Sequence, residues 1–257
     1  RGRKAPGLLL RAAGNAPCGI RSRGNGMKTV AIIPAAGSGR RMEGALSKQY
    51  LALAGVPILV HTLRKFEGAP AVDTVFLVVP AGDEDVIRRD MVDSYGLRKV
   101  RKILPGGRER QDSVRAGIDA LPEDTEIVVI HDAVRPFVTG ELIAASVEGA
   151  RAFGAVSLGV PVKDTVKSVE TGGWVDHTME RAKLWLTQTP QTFRVEVIRE
   201  AYRRAFADGF YGTDDASLAE RIGIRVRMLP GIYENIKITT PGDIELGAIL
   251  IRNRGGA

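Results

Sequence analysis

The sequence predicts an α/β fold: a doubly wound, mostly parallel sheet from which one β-hairpin arm protrudes. Short β-branched runs alternate with amphipathic segments from Lys28 onward. Those runs are apolar throughout rather than on every second residue, as in strands buried on both faces. A change of rhythm over residues 162–181 predicts the hairpin. Strands are expected near residues 30–34, 75–79, 100–104, 127–130 and 156–160, with helices over 58–66, 85–94, 111–121 and 142–153. In such a Rossmann-like arrangement ligands bind beyond the carboxyl ends of the strands, so the loops after Ile33, Val79, Leu104 and Ile130 are expected to face one site. Residues 165–169 and 174–178, joined by Thr171, Gly172 and Gly173, read as the two strands of the arm. A two-stranded ribbon is marginal alone in water, so the arm is expected to pack on a partner subunit. Helices at 195–207 and 215–222, a strand at 225–229 and a last helix from Pro241 to about Arg252 complete the pattern.

At 257 residues and 44% hydrophobic content, the chain is long and apolar enough to bury one sizeable core. Its apolar runs are far shorter than the roughly 20 residues of a membrane span, which points to a soluble protein and no membrane partner. The single cysteine, Cys18, excludes an intramolecular disulfide or a cysteine metal cluster and is compatible with the cytoplasm. A net charge of +7 raises nucleic acid as a partner, but Arg1, Arg3, Lys4, Arg11, Arg21 and Arg23 all precede Met27 with no acidic residue among them. The remainder is close to neutral, so no nucleic-acid partner is expected. Residues 1–26, rich in Gly, Ala and Arg, are expected to form a disordered basic extension. A plastid transit peptide is the alternative, disfavoured by the scarcity of Ser and the weak apolar moment.

The first strand runs into Pro34, Ala35, Ala36, Gly37, Ser38, Gly39, Arg40, Arg41 and Met42. Small residues let backbone N–H groups approach a phosphate chain closely. A dinucleotide-binding fingerprint would place a third glycine where Met42 stands, and a Walker A loop would carry Gly-Lys-Ser/Thr, which is absent. The loop instead supplies Arg40 and Arg41, then Lys48, cations suited to charge building on a departing pyrophosphate. The alternative is a glycine-rich turn followed by solvated basic residues.

Further motifs follow in order: Gly106-Gly107 with Arg110 and Ser113, His131-Asp132-Ala133-Val134-Arg135-Pro136, Val162-Lys163-Asp164-Thr165, His177-Thr178-Met179-Glu180-Arg181, Thr189-Pro190-Gln191, Thr213-Asp214-Asp215-Ala216-Ser217 and Asn235-Ile236-Lys237. The ordered set, from Lys28 to about Ile251, resembles the 2-C-methyl-D-erythritol 4-phosphate cytidylyltransferase family. It departs from the commonest pattern at Val134 and at Leu46-Ser47, without loss of a charged group. The resemblance implies a single nucleotidyltransferase domain over residues 27–257. It also implies transfer of CMP from CTP to a polyol phosphate in non-mevalonate isoprenoid precursor synthesis, with Mg²⁺ or another divalent cation, in a homodimer formed through the arm.

By the same resemblance, Arg41 and Lys48 stabilise the pentavalent phosphorus and the leaving pyrophosphate, and Ala35, Ala36, Gly37 and Gly39 hold the triphosphate. Gly107 and Ser113 contact cytidine, while Asp132 faces the nucleotide and binds the metal. The acceptor's phosphate is met by Thr165, Arg135 and Arg181 from one subunit and by Thr189, Thr213 and Lys237 from the other, Arg181 and Lys237 counting as catalytic. The residues by themselves allow plainer roles. Ser113 suits a helix N-cap, Asp132 a turn cap, and Lys237, between Ile236 and Ile238, a solvated strand face. His131 follows directly on an apolar strand and is expected to be a packed structural histidine. A cytidylyltransferase for another polyol phosphate, such as ribitol 5-phosphate, is the nearest rival; a non-catalytic nucleotide-binding module is another.

Overall fold

The structure is a computed structural model that describes residues 28–37 and 50–255. Residues 1–26 with Cys18, and the loop residues Gly39, Arg40, Arg41 and Lys48, lie outside the described residues. The chain begins with β1 (Lys28–Pro34), followed by a short pair, β2 (Ala52–Leu53) and β3 (Val56–Pro57), then α1 (Ile58–Glu67) and β4 (Thr74–Val79). Next come α2 (Glu84–Ile87), which runs on into a π-helical stretch (Arg88–Asp93), then β5 (Val100–Pro105), α3 (Arg110–Asp119), β6 (Thr125–Ile130), α4 (Gly140–Phe153) and β7 (Ala155–Pro161). The arm contributes β8 (Lys167–Val169) and β9 (Val175–Thr178), and the chain closes with β10 (Trp185–Arg194), α5 (Val195–Ala207), α6 (Asp215–Arg221), β11 (Arg227–Pro230) and α7 (Pro241–Gly255).

Seven strands form one sheet in the order β11-β7-β10-β6-β1-β4-β5. Successive residues of a strand point to opposite faces, and here both faces are covered. Ala31, Ile33, Leu77 and Val129 pack with Leu59 and Phe66 of α1 and Val147 of α4. Val30, Ile32, Phe76 and Val128 pack with Val114 of α3 and Ile198 of α5. The continuous apolar runs arise from this double burial. Because β6, β1, β4 and β5 are mutually parallel, their carboxyl ends share one edge of the sheet.

The sequence pattern does not predict β10. It pairs antiparallel with both β6 and β7, at the heart of the sheet. Its stretch Gln188-Thr189-Pro190-Gln191-Thr192 is polar and contains a proline, features that normally argue against a central strand. These residues are nevertheless buried. Gln191 donates to Ser157 Oγ and Asp214 Oδ2 and accepts from the Ala216 N–H, while Thr192 donates to Ser146 Oγ. Side-chain hydrogen bonds replace apolar contacts there.

The arm is a two-stranded sheet of its own, in the register Lys167↔Thr178, Ser168↔His177 and Val169↔Val175. Its strands are shorter than the residues 165–169 and 174–178 expected. Gly172 (φ 104°) and Gly173 (φ 87°) supply the left-handed backbone of the turn. Trp174 beside it is 78% exposed.

Candidate active site

The site grows from the strand ends. Beyond β1, the Ala35 N–H donates to the Val78 carbonyl at 2.6 Å, keeping the start of the loop on the sheet edge. At the end of β5, a Cβ on Gly106 would lie 2.2 Å from the Ala36 Cβ and 2.8 Å from Ser113 Oγ. Only glycine lets the loop after β5 reach Ala36 across β4. The Gly107 N–H donates to Ser113 Oγ at 3.3 Å, and that hydroxyl donates to the Glu109 carbonyl at 3.2 Å. The N-cap of α3 is Glu109, in a reciprocal capping box with Asp112. This overturns the N-cap reading of Ser113, which sits inside the first turn, buried against Gly107 and Gly106.

His131 follows β6 and is fully buried, at 0% exposure. Its Nε2 lies 3.0 Å from the Arg135 carbonyl, which can only accept, so Nε2 carries the proton. Nδ1, 3.0 Å from Thr189 Oγ1, therefore accepts from that hydroxyl, which itself accepts from the Asp132 N–H at 3.1 Å. Burial, the largest influence, pushes the His131 pKa down to about 4. The ring is neutral at pH 7 with both nitrogens engaged, which suits a structural histidine rather than a base.

Asp132 is the centre of charge. Its Oδ1 accepts from Arg110 Nε at 3.0 Å, and its Oδ2 meets Lys237 Nζ at 2.8 Å and Arg135 Nε at 3.4 Å. Burial opposes its ionisation most, yet Arg110, Lys237 and Arg135 together outweigh burial and hold the carboxyl well below its ordinary range. The carboxylate thus binds cations rather than capping a turn. Arg110 also donates through Nη2 to Asp215 Oδ2 at 2.8 Å, and Tyr202 donates to Asp215 Oδ1 at 2.5 Å. Burial works against the Arg110 charge, but Asp215 and Asp132 more than compensate and raise its pKa well above the usual value. The Arg135 guanidinium is further held by the Asn235 carbonyl at 2.8 Å.

A cavity of about 290 Å³ opens here, lined by Arg110, Asp132, Arg135, Thr187, Gln188, Thr189, Gln191, Thr213, Asp214 and Lys237. Arg110, Arg135 and Lys237, against the two carboxylates Asp132 and Asp214, line the hollow with Thr213 and suit a phosphate group, while the Thr189 hydroxyl beside them is already engaged by His131 and the Asp132 N–H. Thr189, Thr213 and Lys237 line one cavity, and Asp132 and Arg135 line it with them. The division between subunits is corrected, because Arg135 stands in the same chain's cavity as Lys237, and both bond Asp132. Thr165 and Arg181 do not line this cavity; Arg181 is exposed at the base of the arm and donates to the Lys163 carbonyl at 2.8 Å. Arg110 appears in the sequence only as a motif member, while Asp215, Tyr202 and Asn235 had no assigned part. Arg110's partners stand 22 and 105 residues away, so no local pattern marks them.

Among the described residues, no group of three or more His, Cys, Asp or Glu side chains could hold a metal ion. Asp132 keeps lone-pair capacity beyond its three cations, since a carboxylate has about four acceptor sites. A divalent cation would fit there only with phosphate oxygens of a nucleotide supplying most of its shell and offsetting the repulsion of the three neighbouring cations. Also among the described residues, no helix is long and apolar enough to cross a membrane.

Glycine and alanine residues at parallel strand ends, beside a cavity lined by cations, make an α/β site of the kind that takes a nucleotide and a phosphate. The chain belongs to the 2-C-methyl-D-erythritol 4-phosphate cytidylyltransferase family, whose family model matches residues 29–253. It is 48% identical over 229 residues to the protein of that name from Syntrophus aciditrophicus, covering 89% of this chain and 98% of the relative. It is likewise 48% identical over 229 residues to that from Pelotomaculum thermopropionicum, covering 89% and 96%. Among solved structures, the 4-diphosphocytidyl-2C-methyl-D-erythritol synthase from Anaerococcus prevotii superposes with a TM-score of 0.79 at 33% identity, covering 88% of this chain and 96% of that one. The cytidylyltransferase from Thermus thermophilus gives 0.73 at 31% identity, covering 88% and 100%.

Proposed function

We propose that the chain transfers CMP from CTP to 2-C-methyl-D-erythritol 4-phosphate, forming 4-diphosphocytidyl-2-C-methyl-D-erythritol and pyrophosphate. The observation that carries this reading is the cavity of Arg110, Arg135, Lys237, Thr189 and Thr213, set beside the strand ends that carry Ala35, Ala36 and Gly107. One region is built for the acceptor's phosphate and the other for a nucleotide. An acceptor phosphate oxygen attacks the α-phosphorus of CTP in line, the bond to the β-phosphate oxygen breaks, and pyrophosphate leaves. A phosphate oxygen is already anionic, so neither a base nor a covalent nucleophile is needed. Positioning and charge stabilisation suffice, in keeping with a neutral, fully bonded His131.

Lys237 and Arg135 orient the acceptor, while Arg41 and Lys48 stabilise the departing charge. Ala35, Ala36, Gly37 and Gly39 cradle the triphosphate, and Gly107 and Ser113 bound the cytosine. Asp132 would hold Mg²⁺ together with phosphate oxygens, and the ion would neutralise charge on the triphosphate. Thr165 and Arg181 reach the acceptor from the arm of a second copy, so the working unit is a homodimer. The names carried by the relatives favour methylerythritol phosphate over ribitol 5-phosphate. Pyrophosphate release from CTP and Mg²⁺ with each polyol phosphate in turn tests the reading. Release with methylerythritol phosphate is expected; no release with either would overturn the enzyme assignment.

A further inference from the structure

We propose that Lys163 and Tyr233 clamp the root of the arm and make Tyr233 a positioning residue for the acceptor phosphate. The inference rests on the shared-site reading above. Tyr233 lies on the loop between β11 and α7, four residues before Lys237. Its hydroxyl donates to the Pro161 carbonyl at 2.8 Å, where β7 gives way to the arm. The Lys163 ammonium stands 3.4 Å from the centroid of the Tyr233 ring. The Lys163 carbonyl in turn accepts from Arg181. Tyr233 therefore touches the arm's root twice, once at its main chain and once through the residue that holds Arg181.

The same loop is fastened to the chain's own cavity. The Asn235 carbonyl accepts from Arg135 at 2.8 Å, and Lys237 bonds Asp132. One short segment thus joins the residues that meet the acceptor in this chain to the base of an arm that reaches the partner. Strands β8 and β9 pair only with each other, so the arm's direction depends on contacts at its root. The Val162 N–H to Leu184 carbonyl bond closes that base. The tyrosine adds a lateral stop, and an aromatic face under an ammonium together with a hydrogen bond holds a pose that either contact alone would hold less well.

The test uses the full-length protein, with CTP and methylerythritol phosphate varied separately and the dimer followed by sedimentation. Tyr233→Ala is expected to raise KM for methylerythritol phosphate about three- to tenfold, the effect of losing one hydrogen bond and one cation–π contact. KM for CTP and the dimer should stay unchanged. Tyr233→Phe, which keeps the ring under Lys163 but gives up the hydrogen bond to the Pro161 carbonyl, should fall between the wild type and Tyr233→Ala. Unchanged acceptor KM in Tyr233→Ala, or an equal decline toward both substrates, overturns the clamp. Arg181→Ala separates the two readings. If it impairs acceptor use while Tyr233→Ala does not, the clamp alone falls; if it leaves acceptor use intact, the shared site falls and the clamp with it.

Discussion

Asp215 offers a direct measure of how the cationic cavity is held together. It is 1% exposed and bonds Arg110 Nη2 at 2.8 Å and the Tyr202 hydroxyl at 2.5 Å. Asp215→Ala leaves the Arg110 guanidinium with Asp132 as its sole carboxylate and strands a buried phenol. Removing one member of a buried ion pair costs about 3–5 kcal/mol. Arg110 is 32% exposed, so water relieves part of that loss and the lower end applies. An unpartnered buried hydroxyl adds about 1–3 kcal/mol. A total near 4 kcal/mol follows by joining the low ends of the two ranges. Urea unfolding measures it, and the double variant Tyr202→Phe/Asp215→Ala should regain about 1 kcal/mol or more, because the stranded hydroxyl is gone. Released from Asp215, Arg110 turns wholly toward Asp132, so kcat/KM should also fall, by about tenfold if about 1.4 kcal/mol of transition-state stabilisation is lost. A stability loss below about 1 kcal/mol in Asp215→Ala, the size of an ordinary surface contact, would refute this account.

His131 predicts a pH dependence. Its folded pKa of about 4 lies below the ordinary 6.5, so the unfolded chain binds the extra proton between these values and stability falls as pH drops through that window. Between pH 7 and 5 the native chain should lose about 2 kcal/mol relative to His131→Gln, read by urea unfolding; equal losses in the two proteins would show that the ring is charged or open to water. Asp132 behaves differently, because its carboxyl is held below the ordinary 3.8. Its contribution is complete above that value and is lost only as pH falls further. Lys48→Ala and Arg41→Ala should each lower kcat by about a hundredfold or more with a smaller effect on CTP binding; a rise in KM alone would make the residue a ground-state clamp. Refolding Arg181→Ala with Lys237→Ala as an equal mixture should restore about a quarter of wild-type activity, since half the dimers pair unlike chains and each of these keeps one intact site. Arg135→Ala mixed with Lys237→Ala should restore none, because both residues serve one cavity, and recovery there would contradict the corrected division.

The parallel part of the sheet was legible because double burial writes itself into sequence as unbroken apolar runs, as at Val75–Val79 and Ile127–Ile130. The ordered motifs from Ala35 to Lys237 likewise named most residues of the cavity and the class of chemistry. The central antiparallel strand was not legible. Gln188, Thr189, Gln191 and Thr192 are buried through bonds to residues far along the chain, such as Gln191 to Asp214 and Thr192 to Ser146. The same applies to Asp215, which anchors Arg110 across 105 residues, and to the placing of Arg135 with Lys237. Hydrophobic periodicity reports which side chains leave water by being apolar. A polar side chain leaves water only when a specific partner meets it, and tertiary structure alone decides which distant residue that partner is.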